Sequence, residues 1–311
     1  MKDNQATIGI LYALGAYFLW GFLPMYWKLA DHVPAGQVLA HRIIWAFAFM
    51  VVIILLTGKQ QAILHETKEV IRNKRRFWGI ALASILISLN WLTFIWAVNS
   101  DHVIQASLGY YINPLVSILL GAIVLKERFN GSQIVSFILA ACGVVYLTIS
   151  YGVFPWVSLI LAFSFAFYGL LKKIVQVSTM TGLTIETLMV TPIALIYLSA
   201  IPANSFTWAA PLSTTNLILA GSGAATAIPL LMFASGAKQI PLAMVGFLQY
   251  IAPTIMLLLG VFLYQEPFTQ AHLVAFVLIW TALIIYMAST YRRSIQTQKS
   301  LKKTSAGEQA N

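Results

Sequence analysis

The sequence predicts an all-α integral membrane protein, with ten transmembrane helices arranged as two inverted five-helix repeats. Three observations carry that prediction. Of 311 residues, 59% are hydrophobic and 9% charged, against roughly 25% charged in an ordinary soluble domain, so a soluble catalytic domain is excluded. The few charges cluster, leaving uncharged stretches of the ~20 residues that a spanning helix needs. Finally, shifting the chain by 139 residues lays its second half on its first without a gap.

The uncharged stretches are 4–27, 43–58, 77–100, 102–125, 129–171, 187–237, 239–265 and 267–291. Two are of double length and break at turn-rich segments. These are Tyr151-Gly152-Val153-Phe154-Pro155, and the segment from Pro202-Ala203-Asn204 through Pro211 to Ser213-Thr214-Thr215. Spans 1 to 10 are therefore expected near 7–27, 37–56, 77–97, 105–125, 132–149, 154–171, 185–201, 216–237, 241–264 and 271–291. The first run is too long for the apolar core of a secretory signal and lacks a small-residue cleavage site, so it reads as a permanent span. Cys142, the one cysteine, falls inside span 5 and offers no disulfide or metal framework. No cofactor and no metal site are expected.

The net charge of +10 could suggest a nucleic-acid partner, but the placement of the charges argues otherwise. With the N-terminus inside, 17 of the 19 Lys and Arg fall in cytoplasmic segments, Lys74-Arg75-Arg76, Lys172-Lys173 and Lys238 among them. The other side keeps Lys28, and Arg42 falls within span 2. By the positive-inside rule this is a multi-pass protein of the cytoplasmic membrane with both termini in the cytoplasm and no nucleic-acid partner.

The repeat is clearest between 111–139 and 250–278, where eleven of 29 positions are identical, among them Tyr111/Tyr250, Pro114/Pro253, Gly121/Gly260 and Glu127/Glu266. Apolar composition alone would not align proline with proline and acid with acid. Residues 1–150 then form the first repeat, 151–291 the second, and 292–311 a basic, disordered cytoplasmic tail. Five spans per repeat is an odd number, so the second copy enters the membrane upside down. Such pairs offer equivalent inward-open and outward-open packings around a midplane site, the architecture of alternating access.

Four strings carry a family resemblance: Ala40-His41-Arg42-Ile43-Ile44-Trp45; Asn90-Trp91-Leu92-Thr93-Phe94-Ile95-Trp96-Ala97-Val98-Asn99; Ala106-Ser107-Leu108-Gly109-Tyr110-Tyr111-Ile112-Asn113-Pro114; and Leu161-Ala162-Phe163-Ser164-Phe165-Ala166-Phe167-Tyr168-Gly169. Across residues 7 to 290 the chain resembles the EamA-type permeases of the drug/metabolite transporter superfamily, in their RarD-type branch. The resemblance implies a ten-helix inner-membrane carrier that exports small metabolites or drug-like compounds. The branch name reflects an association with chloramphenicol sensitivity and identifies no substrate.

Helical spacing picks out residues that could line the route, because a polar stripe in lipid must face a partner or a cavity. In span 4, Ser107, Tyr110, Pro114, Ser117 and Gly121 form such a stripe, with Asn113 and Tyr111 beside it. The 139-residue shift carries the stripe onto Gly246, Gln249, Pro253, Met256 and Gly260 in span 9, with Tyr250 as the counterpart of Tyr111. Pro114 and Pro253 each free a carbonyl, as hinges lining a cavity or as simple packing kinks. Asn90 lies near the middle of span 3 with Phe94 one turn on, paired by the shift with Pro229 and Phe233. An unbonded amide in hydrocarbon costs several kcal/mol, so Asn90 serves either as interhelical glue or as a substrate contact. Span 1 presents Tyr17, Trp20, Gly21 and Pro24, and span 6 presents Ser164, Tyr168 and Lys172. The candidate substrate cavity is thus Tyr17, Trp20, Asn90, Phe94, Tyr110, Asn113, Pro114, Tyr168, Phe233, Gln249, Tyr250 and Pro253, enclosed by spans 1, 3, 4, 6, 8 and 9. The resemblance points to the same six spans. Trp27, Trp78, Tyr264 and Tyr291 are expected as interfacial anchors.

Charged candidates for gating are His41, Arg42, Glu127, Glu186 and Glu266. Arg42 is the cation inside a span, either paired with Asp31, Asp101 or Glu266 or attracting anions at the outer mouth. Glu186 is expected at the cytoplasmic start of span 7, where a carboxylate suits a helix N-terminus. No carboxylate falls at mid-membrane, so exchange or facilitated diffusion stands beside proton antiport, which would have to run through His41 or Glu186. Catalytic signatures such as HExxH, GxSxG or a phosphate-binding GxxxxGK[ST] are absent, which argues against an enzyme. The expected function is a secondary transporter of small organic molecules, acting as a monomer or homodimer in the bilayer. A lipid-modifying membrane enzyme and a channel are the alternatives.

Overall fold

The computed structural model describes residues 2–99, 103–152, 154–263, 265 and 269–309. Among these it holds twelve helices and no strand: α1 (Lys2–Lys28), α2 (Ala35–Leu56), α3 (Gln60–Arg72), α4 (Lys74–Asn99), α5 (Val103–Ile123), α6 (Gly131–Tyr151), α7 (Trp156–Ile174), α8 (Thr179–Ala200), α9 (Thr214–Gln239), α10 (Leu242–Gln249), α11 (Ile251–Phe262) and α12 (Gln270–Gln309). Nine segments among the described residues are long and apolar enough to cross a membrane, Leu242–Phe262 counting as one, and α5 adds a shorter apolar stretch over Leu108–Ile123. The chain is a multi-pass membrane protein whose spans match the ten expected.

Local chemistry explains most helix ends. Asn130 and Gln133 form a reciprocal capping box at the start of α6, and Gly152 takes φ 68° at its C-cap, where a side chain would be strained. Ser178 and Ser213 cap α8 and α9 by accepting from the amides of Thr181 and Asn216. The Ser178 cap starts α8 six residues before the expected 185. Span 9 is divided at Tyr250 because Pro253 has no N–H to give the Gln249 carbonyl. Pro114, its counterpart in the repeat, sits inside an unbroken α5. α12 carries its backbone into the tail expected to be disordered, over a stretch without proline.

The helices fall into two compact units, Met1–Leu125 with Phe154–Glu266, and Lys126–Val153 with Pro267–Asn311. Each unit therefore draws on both sequence repeats. The second pairs α6 with α12: Asn130 donates to the Ser289 hydroxyl at 2.8 Å, and Gly143 lies so close that an added Cβ would stand 3.1 Å from the Ala275 carbonyl. Within the first unit the principal packed pairs survive exchange of each span for its repeat counterpart. α1 packs on α9 as α7 packs on α4, α1 packs on α11 as α7 packs on α5, and α2 on α9 matches α8 on α4. That exchange is what a pseudo-two-fold axis between inverted repeats requires. Small residues permit the closest crossings. A Cβ on Gly223 of α9 would collide with the Trp45 backbone of α2, and one on Gly246 of α10 would meet the Pro114 carbonyl of α5 at 2.7 Å.

Candidate functional site

A cavity of about 180 Å³ lies inside the first unit, walled by α1, α2, α4, α5, α7, α9, α10 and α11. Of the candidate residues, Tyr17, Trp20, Asn90, Phe94, Tyr110, Asn113, Gln249, Pro253 and Arg42 reach its surface. Pro114, Tyr168, Phe233 and Tyr250, expected on that surface, stand behind it. Pro114 is spent against Gly246. Tyr168 and Phe233 stack on one another at 6.0 Å and support the lining Phe165, whose ring lies 5.2 Å from Phe233. Tyr250 is 1% exposed, its hydroxyl buried without a partner among the described residues.

Several wall residues hold polar atoms without a partner among the described residues. Asn90 donates its amide nitrogen to the Leu161 carbonyl and the Ser164 hydroxyl, both at 2.9 Å, so it does tie α4 to α7, and its carbonyl oxygen remains for the cavity. Ser117 donates to the Asn113 carbonyl at 3.4 Å, leaving the Asn113 amide nitrogen. The Tyr17 hydroxyl is fully buried with no partner among the described residues. A polar group left so costs on the order of 1–3 kcal/mol unless something else fills its bond.

Arg42 departs most from expectation. Among the described residues no carboxylate pairs with it, Asp31 being instead 3.7 Å from His32; Asp101 and Glu266 lie outside the described residues. Its Nε donates to the Thr226 hydroxyl at 3.2 Å, and its guanidinium lies over the rings of Trp91 at 4.4 Å and Trp27 at 5.0 Å. Trp27, expected as an interfacial anchor, lines the cavity. Trp78 and Tyr291 are 67% and 69% exposed, and Tyr264 lies outside the described residues. The sequence reading also missed Trp91 and Phe165, although both stand inside the strings that carry the family resemblance, one position from Asn90 and from Ser164.

Both ends of the cavity are tied across. At the α7 end, Tyr17, Trp20, Phe165, Tyr168 and Phe233 form a continuous aromatic plug with centroids 5.2 to 6.2 Å apart. Beyond the plug Lys172 pairs with Glu186 at 2.5 Å, and Tyr168 donates to the same carboxylate at 3.2 Å. Glu186 therefore sits two turns inside α8, 3% exposed, rather than at a helix start, because α8 begins at Thr179. Lys173 donates to the carbonyls of Ala237 and Ile240, and Lys238 to that of Val177. α3 joins this end too: Glu66 accepts from the Ser178 amide and hydroxyl, both at 2.5 Å, and from Thr181. Burial alone would raise the Glu66 carboxyl, but these hydrogen bonds and nearby Lys238 outweigh it and hold the group below the usual carboxylate range.

At the other end the 201–213 connection folds against α2. The His41 ring nitrogen is 2.9 Å from the Asn204 carbonyl, Phe206 stacks on the same ring at 5.4 Å, and Gln37 bonds Ala203 and Ser205. His41 is thus a closure residue and not a cavity wall. Glu127 belongs to the second unit, and Glu266 lies outside the described residues.

A model of the EamA-like transporter family matches residues 7–149. The chain is 45% identical over 293 residues to an uncharacterized transporter, YojE, of Bacillus subtilis, covering 93% of this chain and 96% of that one. It is 44% identical over 301 residues to protein RarD of Escherichia coli, covering 96% of this chain and all of that one. One crystal structure matches with a TM-score of 0.70 and 18% identity, covering 91% of this chain and 98% of the other, a likeness of fold alone.

Proposed function

The chain belongs to the EamA-like transporter family, in its RarD branch, and on that premise we propose that it carries small organic metabolites across the cytoplasmic membrane by alternating access through the central cavity. The observation that supports this most is a wall of aromatic faces and unspent polar atoms closed at both ends by contacts between different helices. A site so furnished holds a solute while neither side is open. Opening one end requires parting α7 from α8 and α9, and opening the other requires lifting the 201–213 connection from α2. Under the 139-residue shift the 201–213 connection on α2 corresponds to α3 on α8, which Glu66 ties through Ser178 and Thr181, so each closure has a counterpart at the opposite end. At about 180 Å³ the cavity is small beside the ~300–1,000 Å³ of pockets for drug-sized ligands, which favours metabolites over larger drugs. Both termini then face the cytoplasm with the Lys172–Glu186 end, and net export is the direction the family resemblance implies.

Metabolite profiling of cells lacking or overproducing the protein, followed by counterflow in liposomes, tests the proposal. A carrier exchanges the changed compound, unaltered, across the bilayer at a rate that saturates. A compound that comes back chemically modified, or a flux that does not saturate, replaces the carrier with an enzyme or a channel.

A further inference from the structure

We propose that the cavity is built for the anion of a small organic acid with a flat apolar body, and that Arg42 reads its charge; this deepens the carrier reading and rests on it. Arg42 is a cation on the cavity surface without a counter-ion among the described residues. The protein spends its Nε on Thr226 and lays the guanidinium over the rings of Trp91 and Trp27. Those contacts fix the guanidinium plane and leave the two terminal nitrogens, a fork whose spacing matches the two oxygens of a carboxylate. Removing a cation from water without a partner is costly, so an arriving anion completes the site.

The remaining wall suits the rest of such a molecule. Trp20, Phe94 and Phe165 offer ring faces and edges to a flat apolar body, and the cavity has room for about one ring and a short chain. The amide nitrogen of Asn113 stands ready for a further polar substituent. Aromatic walls also attract cations, but a cationic solute would share this small volume with Arg42 and meet its repulsion.

Three solutes of one shape separate the possibilities: 3-phenylpropanoate, 3-phenylpropanamide and 3-phenylpropylammonium. Binding to the purified full chain in nanodiscs is read by tryptophan fluorescence, since Trp27 and Trp91 lie within 5.0 Å of the guanidinium carbon, and movement is read by counterflow in liposomes. The carboxylate is expected to bind at least about tenfold more tightly than the amide, with the ammonium weakest. Arg42→Gln should bring the carboxylate down to the level of the amide while amide binding persists, which also shows that the variant is folded. Arg42→Lys, which keeps the charge and loses the fork, should retain part of the preference. Amide or ammonium binding as tight as the carboxylate, binding of none of the three, or a preference that survives in Arg42→Gln overturns the anion site. A carboxylate that binds but is never moved supports the anion site and removes the carrier reading; solutes moved without regard to charge do the reverse.

Discussion

Lys172 and Glu186 meet at 2.5 Å with 7% and 3% of their side chains exposed, and that burial decides what the pair is worth. Two charges taken out of water regain little net stability from one another, but a lone survivor is heavily penalised. Glu186→Gln should therefore lower thermal stability by about 3–5 kcal/mol, whereas the double change Lys172→Met with Glu186→Leu should stay near the wild-type value or exceed it. Melting curves of the three proteins in one detergent decide this; a single variant as stable as the double one would show that water reaches the pair. Neither residue's role was readable from sequence. Lys172 adjoins Lys173 and so reads as a cytoplasmic charge, and Glu186 reads as a helix start because the uncharged run begins after it. The Ser178 cap that moves the start was present in the sequence, but a single serine among Val177-Ser178-Thr179 competes with several equally plausible starts. Asn90 was legible as a polar group needing partners, and both readings of it hold, one per end of its amide.

At the level of elements, the spans were legible because a bilayer imposes one requirement on all of them, a long uncharged run, and the two double-length runs broke where their prolines and glycines indicated. α3 was not, since its thirteen residues hold charges of both signs and resemble an ordinary loop. Its importance lies in a long-range contact, Glu66 capping the start of α8 through Ser178 and Thr181. A carboxyl held below its ordinary value of about 4.3 adds stability that is complete above that value and is lost as pH falls through the lower, folded one. Hydrogen exchange along α3 should accordingly be slow at neutral pH and rise as the pH drops below about 4, once the intrinsic pH dependence of exchange is divided out. Glu66→Gln should show the faster exchange already at neutral pH. Protection in the variant equal to that of the wild type would mean that α3 is held by Ile63 and Val70, its buried apolar residues, instead.

At the scale of the whole molecule, the placement of the acids bears on what could drive transport. The repeat itself was plain from the 139-residue shift, yet which stripe residues face the cavity was not, because helical spacing gives a face and not its depth. Thus Tyr110 and Gln249 reach the wall while Pro114 and Tyr250 stop one layer behind it. Depth matters most for the energy source. A proton-coupled carrier needs a titrating group that answers to the solute and to both faces in turn. No carboxylate among the described residues lines the cavity; Glu186 is held by Lys172 beyond the aromatic plug, and His41 is held by Asn204 at the other end. Each is tied into a closure rather than exposed to the solute. Exchange of one solute for another of like charge needs no such group and leaves the membrane electrically balanced, even when the solute is an anion. The protein-dependent counterflow in liposomes should then stay within about twofold when a gradient of about one pH unit is imposed in either direction, a gradient worth about 1.4 kcal/mol per coupled proton. Uphill accumulation driven by that gradient would overturn exchange, and its loss in Glu186→Gln but not in His41→Gln would place the proton at the Lys172 end.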